Sequence, residues 1–236
     1  IIMQNHPEFV ETMIGSSIVG TIFVPIDPRT KGQKLAFMLN HADCKGAVIG
    51  DYAIDNLNEI ISECPSLEWL WIVGADNECS LRKKHFLEII KSDCSEIGIR
   101  VSKPELPMQM LYTSGTTGDP KAILSPYARF GFVAGLGEAL GLTKDDRPYT
   151  GLSLTHANAQ LITLGTTLAM GLNGVFSQKF TKSRLWDITR HYDCTMFNLL
   201  GGMTTAIYSE PERADDKNNP VRYVLSAGMP KNIWRS

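Results

Sequence analysis

The chain has 236 residues, 43% hydrophobic, 20% charged and 8% aromatic, with 23 basic against 25 acidic side chains and a formal net charge of −2. That composition belongs to a globular protein of one large domain or two small ones, long enough to bury a substantial core. The even charge balance excludes the basic footprint of a nucleic-acid surface, so any polyphosphate has to be held by local backbone groups and one or two cations.

Taken in order, the periodicity predicts helices alternating with strands. Residues 7–18 read as a helix with Asn5 as its cap, and 20–25 as a short β-rich run. A helix over 31–40, a strand over 46–50, a helix over 53–64 and a strand over 67–74 follow. The stretch 76–103 is more polar and holds a predicted helix over 81–92. Pro104-Glu105-Leu106-Pro107 punctuates the chain before a strand over 109–112. A helix over 125–141 carries Gly131, Gly135 and Gly137, which allow close packing at a cost in helix propensity. A second helix covers 158–170, with Gly171 as its C-terminal cap. The remainder predicts a strand starting at Val175 and Phe176, a helix over 183–191, a strand over 195–199, a helix over 203–208, a charged loop over 211–220 and a strand over 221–226. This alternation is the pattern of an α/β protein with mostly parallel sheets flanked by helices. The expected division is a first lobe, 1–103, and a second, 104–236.

Five cysteines (Cys44, Cys64, Cys79, Cys94, Cys194) are scattered without a C-x-x-C pair. That spacing argues against a disulfide framework and a zinc site and predicts reduced thiols in a cytoplasmic protein. The longest apolar-leaning stretch, 161–176, is broken by Gly165, Gly171, Asn173 and Gly174, so no membrane span is predicted. Both ends read as cut from a longer protein: the first residue is Ile1, and the chain stops at Trp234-Arg235-Ser236, where a helix is starting.

The most informative segment is Thr113-Ser114-Gly115-Thr116-Thr117-Gly118-Asp119-Pro120-Lys121. Gly115 and Gly118 let backbone N–H groups approach an anion. Thr113, Ser114, Thr116 and Thr117 offer hydroxyl donors, and Lys121 a compact positive charge. Pro120 stiffens the exit. The spacing is not that of a Walker A loop, G-x-x-x-x-G-K-[ST]. A polyphosphate loop of another kind is the sharper reading; a hydroxyl-rich surface turn with a solvated lysine is the bland one.

This segment closely resembles the phosphate-loop signature of the adenylate-forming superfamily, which includes acyl- and aryl-CoA synthetases, adenylation domains of nonribosomal peptide synthetases and beetle luciferases. The family pattern continues with glycine where Ala122 stands here, and with Ser-His or Thr-His where Ser125-Pro126 stands. The resemblance extends to Asn5-His6-Pro7-Glu8-Phe9, to Gly20 with Val24-Pro25-Ile26-Asp27-Pro28, and to Val221-Arg222 with Ser226-Ala227-Gly228-Met229-Pro230, so it covers nearly the whole chain. Ala227 to Pro230 with Asn232-Ile233-Trp234 is similar to the carnitine/crotonobetaine-CoA ligase branch.

The resemblance implies the N-terminal domain of an acid–thiol ligase. Such an enzyme joins a small carboxylic acid to ATP, releases pyrophosphate and passes the acyl group to CoA. It assigns Thr113, Ser114, Gly115, Thr116, Thr117, Gly118 and Lys121 to the β- and γ-phosphates. Ala227, Gly228, Met229 and Pro230 fall to the adenine, although a plain strand–helix turn fits them equally on turn chemistry. His156 borders the acid and thiol passage or merely caps the next helix. Asn198, Gly201 and Gly202 fall to the acid pocket. Magnesium is implied as well, with ligands mostly in later motifs that this sequence does not contain, as are a ribose-binding aspartate and a C-terminal-domain lysine. The chain alone is therefore expected to be inactive. Left open are an adenylation domain loading a carrier protein, a non-catalytic nucleotide-binding module, and a homo-oligomeric state.

Overall fold

The computed structural model describes residues 1–75, 77–93, 95–113 and 119–233. Backbone contacts divide the chain into two compact units, Ile1–Ala128 and Arg129–Ser236.

The first unit is built on a parallel three-stranded sheet of β1 (Gly46–Gly50), β2 (Trp69–Val73) and β3 (Arg82–His85), in that order. Helices α1 (Pro7–Val19), α2 (Gly32–His41), α3 (Ile54–Asn58) and α4 (Phe86–Ile90) accompany it. Ala47, Val48 and Ile49 are all buried, as expected where a parallel strand is covered on both faces. Ile26, Leu35, Leu39, Ile49, Leu57, Leu70 and Ile72 share one apolar core.

Several local expectations are corrected. His6, not Asn5, precedes α1, and it makes no side-chain cap; Pro7 opens the helix instead, its fixed φ already helical. The predicted helix over 53–64 breaks into α3 and a 3-10 turn at Ile61–Glu63, because Ile60 leaves the helical region at φ −122°, ψ 2°. The first part of the predicted helix over 81–92 is strand: Arg82, Lys83, Lys84 and His85 pair with β2, and the helix is confined to Phe86–Ile90. Tertiary pairing overrides local preference there, and a charged sequence suits a sheet edge. The run over 20–25 forms no strand of its own; Phe23 bridges to Gln109.

Strands β4 (Pro107–Thr113) and β5 (Lys121–Pro126) form an antiparallel pair. The chain thus returns as a strand over residues read as the approach to a helix. Helix α5 (Tyr127–Ala134) starts only after Pro126. Backbone bonds from Phe23 N to Met108 O (3.2 Å) and from Met110 N to Phe23 O (3.0 Å) tie this pair into the first unit. The division accordingly falls after Ala128 rather than after residue 103.

The second unit contains α6 (Leu136–Ala139), β6 (Pro148–Thr150), α7 (Gly165–Met170), β7 (Val175–Phe176), α8 (Leu185–His191), β8 (Met196–Leu200), α9 (Gly201–Tyr208) and β9 (Tyr223–Ala227). Its four strands are all parallel, in the order β7-β6-β8-β9. Alternation along β8 splits the packing. Phe197 and Leu199 join Leu185, Trp186, Met203 and Ile207 of α8 and α9. Met196 joins Leu142, Ile162, Met170 and Leu172 on the opposite face. Helices therefore cover both faces. Strand β6 escaped prediction because three residues beginning with proline show no period. The helix predicted over 158–170 begins as a π-helix, Asn158–Leu164, and becomes α7 at Gly165, with Gly171 closing it at φ +64°.

Candidate functional site

Thr113 and Lys121, which flank the signature loop, lie at the end of the hairpin where that loop joins the two strands. Thr113 closes β4 and Lys121 opens β5, directly paired across the ladder. The Thr113 hydroxyl lies 3.4 Å from the Lys121 carbonyl. Lys121 is exposed and Pro120 buried. Ser114, Gly115, Thr116, Thr117 and Gly118 lie outside the described residues, as do Cys94 and Trp234. Just before the loop, the Tyr112 hydroxyl donates to Met38 O at 3.1 Å and sits 2.8 Å from His41 Nδ1. Burial, helped by Cys44, pushes the Tyr112 phenol up to about 12, so it stays a neutral donor that fastens the end of β4 to α2. Sequence reasoning missed this anchor: the two residues are 71 positions apart.

In the second unit the other candidate residues gather at the carboxyl ends of the strands. The chain leaves β6 for β7 on one side and leaves β8 for β9 on the other. In parallel sheets the crevice between two such diverging connections is where ligands bind. His156 lies in the loop after β6. The loop is held by Leu152 N to Thr150 Oγ1 (3.1 Å), Ser153 Oγ with Thr155 Oγ1 (2.8 Å) and Gln160 Nε2 to Leu154 O (2.5 Å). The His156 carbonyl accepts from Gln160 N at 3.2 Å and starts the helix, while the ring is exposed. Asn198 of β8 is 2% exposed. Its amide donates to Asn158 Oδ1, and its Oδ1 accepts from Thr163 at 2.6 Å. Both partners belong to the π-helix, a distortion frequent at functional sites.

Gly201 and Gly202 open α9 directly after β8. Ala227 ends β9, and Gly228 turns the chain at φ +81°, a value L side chains rarely adopt. Met229 and Pro230 follow half-buried, and Ile233 N donates to Pro230 O at 3.2 Å in a 3-10 turn. The fold thus brings Gly201, Gly202, Ala227 and Gly228 together on the edge that also carries the His156 loop. Thr113 and Lys121 belong to the first unit. Among the described residues no three His, Cys, Asp or Glu side chains converge as a metal site, and no helix is long and apolar enough to cross a membrane.

A parallel α/β scaffold with glycine turns at its carboxyl edge is the build of a nucleotide-binding protein. The family model of the AMP-binding enzymes matches residues 1–235, and the chain belongs to that family. It is 29% identical over 242 residues to FadD17 of Mycobacterium marinum, a medium/long-chain-fatty-acid–CoA ligase, covering 100% of this chain and 44% of that protein. It is 25% identical over 252 residues to long-chain fatty acid transport protein 6 of Mus musculus, covering 100% and 38% respectively. The anthranilate CoA ligase AuaEII, solved with anthranoyl-AMP, superposes with a TM-score of 0.86 at 19% identity over 97% of this chain and 44% of that one. The N-terminal domain of FACL13 from Mycobacterium tuberculosis superposes with a TM-score of 0.82 at 20% identity, over 98% and 57%. The fold is that of the N-terminal domain of adenylate-forming enzymes. The chain spans less than half the length of these curated relatives.

Proposed function

We propose that the protein containing this chain activates a carboxylic acid with ATP and transfers the acyl group to CoA. The observation that carries this reading is the Thr-Ser-Gly-Thr-Thr-Gly-Asp-Pro-Lys segment, set between paired strand ends in a chain of the AMP-binding family. The acid carboxylate attacks the α-phosphorus of ATP, and pyrophosphate leaves with the electrons of the broken P–O bond. The CoA thiolate then attacks the acyl carbon and AMP departs. Carboxylates are ionised at neutral pH, so the first step needs no general base. It needs two anions held together and the leaving charge neutralised. The hydroxyls and backbone amides of residues 113–118, with Lys121, serve the β- and γ-phosphates. The turn over 227–230 serves the adenine, and His156 borders the acid. Magnesium supplies further neutralising charge. A cytoplasmic location fits the thiol usage.

The names of the relatives favour a medium- or long-chain aliphatic acid. The likeness of residues 227–234 to the carnitine/crotonobetaine branch favours a small charged one, and an acid panel separates the two. Pyrophosphate release by the full-length protein, measured across that panel with and without CoA, tests the proposal. The expected result is release that requires an acid and quickens with CoA. Lys121→Ala should lower kcat/KM for ATP by about tenfold to a hundredfold, as loss of one charge-assisted phosphate contact does. ATP binding that Lys121→Ala weakens, with no release for any acid, would leave a non-catalytic nucleotide-binding module instead.

A further inference from the structure

Two glycines open α9, and the structure distinguishes them. A Cβ on Gly202 would meet nothing within 4 Å, whereas one on Gly201 would lie 2.4 Å from the Gly228 carbonyl oxygen and 3.4 Å from its carbon. Those are backbone atoms, which cannot rotate away as a side chain can. The same helix turn makes a second contact on the same strand, where the Thr204 hydroxyl meets the Ser226 hydroxyl at 2.9 Å. Residues 201 and 204 share one face of α9. Gly228 itself needs glycine for its φ of +81°. The start of α9 and the turn after β9 are therefore seated on each other by one gap and one hydrogen bond.

We propose that Gly201 is a positioning residue for the nucleotide: by lacking a side chain it lets α9 support the Gly228 turn at the height the adenine requires. The inference rests on the reading of residues 227–230 as the adenine-binding turn. It adds that the glycine at 201 serves that turn and not the acid pocket. An alanine at 201 has to move the Gly228 peptide or the helix start by roughly 1 Å, the difference between 2.4 Å and the 3.4 Å at which ordinary contact begins. Misplacement on that scale costs up to about a hundredfold in rate.

The test compares Gly201→Ala with Gly131→Ala in the full-length protein. Gly131 is also helical, with open space for a Cβ, so it controls for the change in helix propensity. AMP and ATP affinities are measured by calorimetry, KM is measured separately for ATP and for the acid, and the Gly228 amide is followed by its 1H–15N resonance. Gly201→Ala is expected to raise the ATP Kd and KM by roughly tenfold, to leave the KM for the acid unchanged and to shift the Gly228 amide; Gly131→Ala should do none of these. Should Gly201→Ala fail to fold, Thr204→Val decides, with an expected two- to fivefold rise in ATP Kd, about the worth of one hydrogen bond. A folded Gly201→Ala with unchanged ATP affinity and an unmoved Gly228 amide overturns the proposal, as does an unchanged Thr204→Val. A wild-type protein that binds no nucleotide overturns the underlying reading of the turn, and the proposal with it.

Discussion

Asp146 is 1% exposed, yet both of its oxygens are bonded. Oδ1 accepts from Thr195 Oγ1 at 2.7 Å. Oδ2 accepts from Thr143 N at 2.8 Å and Thr143 Oγ1 at 3.2 Å, and faces Arg222 Nη2 at 3.4 Å. Asp146 lies two residues before β6, and Thr195 and Arg222 immediately precede β8 and β9, so one carboxylate pins the amino ends of three adjoining strands. Burial pushes its pKa up, but the hydrogen bonds from Thr195 and Thr143 and the charge of Arg222 more than reverse this, and the net value lies below the ordinary one. A folded-state pKa below the unfolded one means the stabilisation is present above the unfolded value and is lost as pH falls through the folded one. Stability should therefore decline as pH drops below about 4. Asp146→Asn should cost about 1–3 kcal/mol at neutral pH and flatten that acid decline. Denaturant melts of both proteins from neutral to acid pH check this; parallel pH profiles would remove Asp146 from the account. In the sequence Asp145-Asp146-Arg147 looks like a solvated turn, because the partners that bury Asp146 lie 49 and 76 positions away. The phosphate-loop candidates, by contrast, can be proposed from the sequence alone because their chemistry is contiguous.

At the level of elements, contiguity again decides what could be read. Helices α1 and α2 and strands β1, β2 and β8 were legible within a residue or two because each shows its own period or an unbroken apolar run. β3 and β5 were not: pairing with a distant strand makes them strands, and nothing within Arg82 to His85 announces it. Of the three glycines expected to allow close helix packing, the structure singles out Gly137. A Cβ there would lie 2.4 Å from Thr166 Cγ2 and 2.5 Å from Met170 Sδ, both on the helix beside it, whereas Gly131 has open space. Gly137→Leu should therefore destabilise by about 1–3 kcal/mol through overpacking. Gly131→Ala should be neutral or stabilise by up to about 1 kcal/mol through propensity. Thermal melts of the two variants compare them directly. An equal effect at both positions would mean that the backbone contribution of glycine, not packing against Thr166 and Met170, governs this helix pair.

On the scale of the whole molecule, strand–helix alternation was enough to define a parallel α/β fold. The boundary between the units was not legible, because the bonds from Phe23 to Met108 and Met110 that draw the hairpin into the first unit join residues more than eighty positions apart. The same scale bears on activity. Adenylation requires the acid, the triphosphate and its counter-charge to be held in one geometry away from water. This chain spans 44% of FadD17 of Mycobacterium marinum. Of the loop candidates its described residues include the flanking Thr113 and Lys121, and of the adenine candidates Ala227 to Pro230. Isolated as 236 residues, the chain should bind AMP or ATP weakly and release no pyrophosphate with any acid, whereas the full-length protein should do so at an ordinary enzymatic rate of about 1–1,000 per second. Parallel assays of the two proteins, with nucleotide binding followed alongside turnover, decide the matter. Acid-dependent turnover by the 236-residue chain would mean that all the groups needed to neutralise the leaving pyrophosphate already lie within it.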